Sequence, residues 1–167
     1  MKKLILAGGC FWGVEAYFSR LKGVIDTKVG YTDALGANPT YKDVCNSSGH
    51  VEACYIEYDE SILPLDKVLD HFFRIIDPTE FNRQGHDIGV QYRTALFFYD
   101  VNDEPVINAY LKNLQKKYTK KLYTYVKAAG PFYDAEDYHQ DYLVKNPSGY
   151  CHVNLNLLRP EETKKGA

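Results

Sequence analysis

The N-terminal stretch MKKLILAGGCFWG, residues 1–13, decides the fold of this chain. Two interpretations compete for it: a lipoprotein-type signal that ends in Cys10, or a buried strand that delivers Cys10 to a helix. A secretory signal needs about 7 to 15 consecutive apolar residues after its basic start. Here the apolar run Leu4–Ala7 is followed at once by Gly8 and Gly9. We therefore expect a strand, a glycine turn and then a helix.

Hydrophobic patterns beyond the turn predict the remaining elements. Alternation over residues 51–58 places Glu52 and Cys54 on the same side of one strand. The clearest helical stripe runs from Leu65 to Ile76. The predicted strands are 3–7, 24–31, 51–58, 93–99 and 123–127, and the predicted helices are 11–21, 65–76, 105–118 and, capped by Asp134, 135–144.

The order of these elements up to residue 99 is strand, helix, strand, strand, helix, strand. This is the split βαβ order of ferredoxin-like folds. We therefore expect an α+β two-layer sandwich with a mixed, largely antiparallel sheet. The chain has 167 residues without a repeat or a linker, which favours a single domain over residues 1–167. Residues 147–158 are predicted to be irregular, and residues 159–167 to be a frayed tail.

Charge and hydropathy exclude several classes of protein. The chain has 20 basic and 22 acidic side chains, for a net charge of -2. This balance gives no electrostatic case for binding nucleic acid or an anionic membrane. No apolar run approaches the roughly 20 residues of a transmembrane helix. We expect a soluble cytoplasmic protein.

The four cysteines are Cys10, Cys45, Cys54 and Cys151. They are too few and too far apart for the disulfide framework of a small secreted domain. Because no Cys-x-x-Cys or His-x-x-x-His cluster is present, we expect no metal site. Any redox or nucleophilic role must therefore be argued for each cysteine separately.

Cys10 lies between a strand end and the first turn of a predicted helix. Free backbone N–H groups and the helix dipole favour a thiolate there, which predicts a lowered pKa and a nucleophile. A small buried hydrophobe is the alternative interpretation. The adjacent Phe11 and Trp12 favour the nucleophile, since large aromatic rings beside a thiol can form a small apolar pocket.

Two long loops carry further candidates. Thr32–Gly49 includes Tyr41 and Cys45, and Pro78–Tyr92 includes Asp87. Loops of this length are often functional. By residue type alone, however, the tyrosines are packing residues, Asp87 is a turn residue and Glu52 is a solvated residue on a strand.

The pentapeptide GCFWG at residues 9–13 resembles the active-site motif of peptide methionine sulfoxide reductase A. The resemblance extends over about residues 5–155, with further matches in the order of that family. These matches are GYT at 30–32, NPTY at 38–41, VC at 44–45, GHVE at 49–52, DPT at 77–79, NRQG at 82–85, DIGVQYR at 87–93 and GYC at 149–151.

The resemblance implies a role for each matching position. Cys10 is the nucleophile, and Glu52 is the acid. The substrate's S-methyl group is held by Phe11 and Trp12, the sulfoxide oxygen is bound by Tyr41 and Tyr92, and the site is supported by Asp87. Cys151 is the resolving cysteine.

The implied reaction is reduction of the S epimer of methionine sulfoxide, free or in proteins. Attack by the Cys10 thiolate on the sulfoxide sulfur pushes charge onto oxygen, so an acid and neutral hydroxyls must converge there. Glu52 must then be protonated, which burial favours. The resulting sulfenic acid condenses with a second thiol, and an external reductant such as thioredoxin opens the disulfide. No bound cofactor is implied.

The chain departs from one form of the family pattern. Members with two resolving cysteines continue past Gly-Tyr-Cys into a glycine-rich tail with another cysteine, whereas this chain continues as His152-Val153-Asn154. We therefore expect a single resolving step through Cys151. We also expect a monomer. Cys45 and Cys54 are expected to be structural, with either one available as a back-up thiol.

Two rival functions remain at this point. Cys10 with His86 or His139 as base would suit an acyl-transfer enzyme, although nothing in their spacing supports that pairing. An aromatic-rich module that binds peptides or sugars is the non-enzymatic alternative. It predicts a Cys10 thiol of ordinary reactivity.

Overall fold

A computed structural model describes residues 1–165 of the chain. Its strands are β1 Lys2–Ala7, β2 Val24–Thr32, β3 Val51–Tyr58, β4 Arg83–Gln84, β5 Asp87–Ile88, β6 Ala95–Phe98, β7 Tyr125–Ala128 and β8 Phe132–Asp134. Its helices are α1 Phe11–Ser19, α2 Tyr41–Cys45, α3 Leu65–Ile75, α4 Asp103–Gln115 and α5 Tyr142–Lys145. None of the helices described over residues 1–165 combines the length and the apolar character that a membrane span requires.

Six strands form one sheet in the order β7-β6-β1-β3-β2-β8, and β4 and β5 form a separate hairpin. All neighbouring strands in the large sheet are antiparallel except β6 and β7, which are parallel. The central order β6-β1-β3-β2 is the ferredoxin-like arrangement of two split βαβ units. The predicted α+β fold with a mixed, largely antiparallel sheet is confirmed.

Helices α1 and α3 pack on one face of this sheet. Alternation along β3 points Cys54 and Ile56 into the core beneath these helices, together with Phe18 and Phe72. Tyr55, from the opposite side of β3, belongs to a smaller apolar cluster on the other face. Burial of each large apolar side chain contributes about 1.5–3 kcal/mol. The same alternation also directs Glu52 towards the helix layer.

The helix predicted over 135–144 is wrong. This segment instead contains a short 3-10 turn and α5, and the strand β8 precedes it. The side-chain amide of Gln140 explains the difference, because it bonds to the backbone N–H and C=O of Val29 at 2.9 and 2.8 Å. Asp141 then adopts a φ of 52°, which interrupts a right-handed helix. Tertiary contacts therefore override the local pattern here.

The end of the chain is docked rather than frayed over residues 159–165. Glu162 accepts hydrogen bonds from the Arg74 guanidinium at 2.9 and 3.1 Å. Thr163 forms a β-bridge with Leu21. The prediction of a frayed tail is therefore wrong for this segment, because Glu162 in the tail pairs with Arg74 of α3. The last two residues of the predicted tail lie outside the described part of the chain.

Candidate active site

The turn between β1 and α1 presents Cys10 at the beginning of the helix. Gly9 has a φ of +78°, a backbone conformation that favours glycine. Cys10 is the N-cap residue of α1, with extended backbone angles and 8% exposure. The stretch that opens the sequence is thus a strand, a glycine turn and a helix, as predicted.

Glu52 lies beneath this turn. Its Oε1 accepts a hydrogen bond from the Phe11 N–H at 3.2 Å, whereas its Oε2 is buried without a partner among the described residues. The side chain is only 1% exposed. Burial raises the pKa of this carboxyl to about 8, the Phe11 N–H opposes that rise and the charge of Asp87 adds to it. Glu52 is therefore protonated at neutral pH and has a proton to donate.

The Cys10 thiol does not have the lowered pKa expected at a helix start. Burial raises its pKa, and the neighbouring carboxylate form of Glu52 raises it further. The hydrogen bond from the Trp12 N–H opposes this rise without overcoming it. Burial outweighs the helix end because the sulfur lies in a poorly solvated pocket. Cys10 is thus a thiol at neutral pH.

Two tyrosine side chains pack against the cluster that contains Cys10. Tyr41 begins α2, a short helix within the first predicted loop, where Thr40 and Asp43 form a capping box. Tyr92 ends a 3-10 turn in the second loop. Both rings pack against the apolar residues around Cys10. Burial, followed by the charge of Glu52, raises the pKa of each hydroxyl, so both are neutral donors.

Trp12 is held by residues that the sequence patterns did not connect with it. Its indole N–H donates to Nδ1 of His139 at 3.0 Å, across 127 positions of the chain. The Tyr142 ring stacks on the indole with a centroid distance of 3.7 Å. His139 also lies 5.2 Å from the Phe11 ring. Since Nδ1 accepts from Trp12, this nitrogen of His139 is not available as a base for Cys10.

Glu136 is a second residue that sequence reasoning missed. One of its carboxylate oxygens accepts from the Tyr31 hydroxyl at 2.9 Å, and the other accepts from the Tyr41 N–H at 3.0 Å. These bonds fix the start of α2 beside the end of β2. No local pattern distinguishes Glu136, because both partners are about a hundred positions away.

Asp87 and Cys151 complete the set of predicted site residues. Asp87, in the β4–β5 hairpin, accepts a hydrogen bond from the Tyr150 hydroxyl at 2.9 Å. Cys151 is half-buried, and its thiol donates to the Val153 carbonyl at 3.2 Å. Tyr150 thus links the hairpin to the segment that carries Cys151.

The other two cysteines occupy different environments. Cys54 is fully buried in β3, within the core beneath α1 and α3. Cys45 is exposed at the end of α2. Their expected structural or back-up roles stay predictions.

The family of methionine sulfoxide reductases matches both the sequence and the fold. A family model described as peptide methionine sulfoxide reductase matches residues 2–166. Peptide methionine sulfoxide reductase MsrA of Clostridium tetani is 55% identical over 157 residues, covering 93% of this chain and 96% of the relative. The reduced form of Mxr1 from Saccharomyces cerevisiae superposes with a TM-score of 0.84 at 36% identity, covering 92% of this chain and 91% of Mxr1.

A further solved structure contains Mxr1 in complex with Trx2. It has a TM-score of 0.59 and 27% identity, covering 84% of each chain. The fold is accordingly that of methionine sulfoxide reductases of known structure. By sequence, the chain belongs to the peptide methionine sulfoxide reductase family.

Proposed function

We propose that this chain reduces the S epimer of methionine sulfoxide, free or in proteins, to methionine. The observation that carries the proposal is the Glu52 carboxyl next to the backbone of the Cys10 turn: it is buried and protonated, and one of its oxygens has no partner among the described residues. A sulfoxide oxygen gains negative charge as its sulfur is attacked, so it needs a proton donor at this place. The family membership of the chain supports the same activity.

Cys10 acts as the nucleophile. Burial keeps Cys10 a thiol, so its proton leaves as its sulfur attacks and replaces the proton that Glu52 gives to the oxygen. Overall, the S–O bond of the sulfoxide breaks and an S–O bond forms on the Cys10 sulfur, so that thiol and sulfoxide become sulfenic acid and methionine. This exchange needs no outside reductant, and Cys10 is the group that is oxidised.

The sulfoxide oxygen receives its proton and its hydrogen bonds from Glu52, Tyr41 and Tyr92. Glu52 donates its proton, and the two neutral hydroxyls donate hydrogen bonds. Such preorganised donors stabilise charge as it develops in the transition state. Asp87 supports this arrangement through its hydrogen bond from Tyr150.

Phe11 and Trp12 hold the S-methyl group. Phe11 is buried beside Cys10, and Trp12 is fixed by the ring of His139 and the stacked Tyr142. An aromatic wall held from two sides favours an apolar methyl group and excludes water, which strengthens the nearby hydrogen bonds. The methyl group and the oxygen are thereby directed to opposite kinds of surface, which suits selection of one epimer.

Cys151 resolves the sulfenic acid, and thioredoxin or a similar dithiol then reduces the disulfide by exchange. A solved relative in complex with Trx2 supports a protein reductant. No bound cofactor takes part in this scheme. Because both cysteines must return to the thiol form, we propose a cytoplasmic location, where thiols stay reduced. We also propose that the chain forms a single domain and acts as a monomer. The family match over 2–166 supports the single domain, and a site built from one chain supports the monomer.

The test is NADPH consumption with thioredoxin, thioredoxin reductase and each sulfoxide epimer supplied separately. Cys10→Ser should abolish reduction. Cys151→Ser should release one methionine per enzyme and then stall with thioredoxin. Activity on the R epimer alone would overturn the proposal, and sustained turnover of Cys151→Ser with thioredoxin would remove Cys151 from the resolving role.

A further inference from the structure

We propose that His152 is a positioning residue for the second step: its ring anchors the segment of Cys151 to the turn that carries Cys10. The inference rests on the proposed function, because it assigns a residue to the resolution of the Cys10 sulfenic acid. It concerns formation of the disulfide and not reduction of the sulfoxide.

A hydrogen bond makes the anchor. Nε2 of His152 lies 3.0 Å from the carbonyl oxygen of Gly8, two residues before Cys10. A carbonyl only accepts, so the ring donates from Nε2. Nδ1 is buried without a partner among the described residues. The imidazole is therefore held by a single directed bond, and the bond leads to the backbone of the active-site turn.

The glycines on both sides of Cys10 make room for this ring. A Cβ atom at Gly9 would lie 2.9 Å from Nε2 of His152. A Cβ atom at Gly13 would lie 3.0 Å from Nδ1 and 3.0 Å from the Val153 side chain. Gly9 also needs its positive φ, but Gly13 lies in an ordinary helix. The close approach of His152 and Val153 is thus the physical reason for a glycine at position 13.

The Cys151 thiol is turned back towards its own segment, where it donates to the Val153 carbonyl. To react, it must leave this bond and reach the Cys10 sulfur. The Cys10 S–O bond then breaks, the S–S bond forms, and the hydroxyl departs with the thiol proton as water. An anchor at the adjacent residue keeps the thiol close while it turns, which raises its effective concentration at Cys10.

The test separates the two steps in His152→Ala. Release of the first methionine should proceed at the wild-type rate, measured by rapid quench. Formation of the Cys10–Cys151 disulfide, measured as loss of two thiols, should slow by about tenfold or more, because a buried hydrogen bond and its packing are lost. Turnover with thioredoxin should fall in parallel. His152→Gln, which can still donate to Gly8, should recover much of the rate.

His86→Ala is the matched control, since this histidine is exposed in the β4–β5 turn. Gly13→Ala perturbs the same contact from the helix side, and it should also slow disulfide formation. An unchanged rate of disulfide formation in both His152→Ala and Gly13→Ala would overturn the inference. So would equal slowing of both steps in a folded His152→Ala, which indicates general disruption. Failure of the proposed function looks different: the wild type would release no methionine in the first turnover.

Discussion

Replacing Glu52 by glutamine is expected to stabilise the folded chain at neutral pH while it slows sulfoxide reduction. Burial raises the pKa of this carboxyl from 4.5 to about 8. Between these values the folded state keeps a proton that the unfolded chain has lost. Stability therefore falls as pH rises through this window. Glutamine matches the protonated side chain in shape, and it does not titrate.

The size of the effect follows from the width of the window. From pH 4.5 to pH 7, keeping Glu52 buried lowers the free energy of unfolding of the wild type by about 1.4 kcal/mol per pH unit, which reaches roughly 3 kcal/mol at pH 7. Urea unfolding should therefore give a Glu52→Gln variant that is more stable than wild type by about 1 kcal/mol at pH 5 and by roughly 3 kcal/mol at pH 7. The single-turnover rate of methionine formation should fall by roughly 10²–10⁴-fold, the usual contribution of a general acid.

Glu60→Gln is the control, because Glu60 is exposed. It should leave both stability and rate close to the wild type at each pH. The reasoning would be refuted by a Glu52→Gln variant whose stability relative to wild type does not increase between pH 5 and pH 7. An unchanged single-turnover rate would separately remove Glu52 from the role of acid.

Two further perturbations test the aromatic wall and the docked chain end. Tyr142→Ala removes the ring stacked on Trp12. The loss of ~0.5–1.5 kcal/mol of stacking free energy should raise KM about two- to tenfold. Trp12 should become more exposed and its fluorescence emission should shift to the red, so a blue-shifted or unchanged emission would contradict this role of Tyr142. Glu162 has a pKa lowered to about 2, chiefly by its hydrogen bonds from Arg74, so its contribution is present above pH 4.5 and is lost as pH falls towards 2. Glu162→Gln should therefore speed hydrogen exchange over residues 159–165 at pH 7, and unchanged protection there would count against the pairing.

Local periodicity was sufficient for most of the elements around the sheet. The strand at 51–58 has the predicted bounds, and the helix predicted over 65–76 ends one residue earlier. These segments bury one regular face, so their pattern shows in the sequence. Periodicity failed over residues 135–144, because the Gln140 side chain bonds to the backbone of Val29 and a continuous helix does not form there. A side chain that bonds to a strand's backbone in this way leaves no periodic hydrophobic pattern in the sequence.

The stretch at residues 1–13 by itself determined that a strand delivers Cys10 to a helix, since spacing and the two glycines are local properties. The protonation state of that cysteine was decided only by the tertiary structure. A helix start alone favours a thiolate, but burial beside Glu52 raises the pKa of the Cys10 thiol. Likewise, His139 meets Trp12 across 127 positions. Solvation and long-range hydrogen bonds depend on what the fold brings together, and no local pattern encodes them.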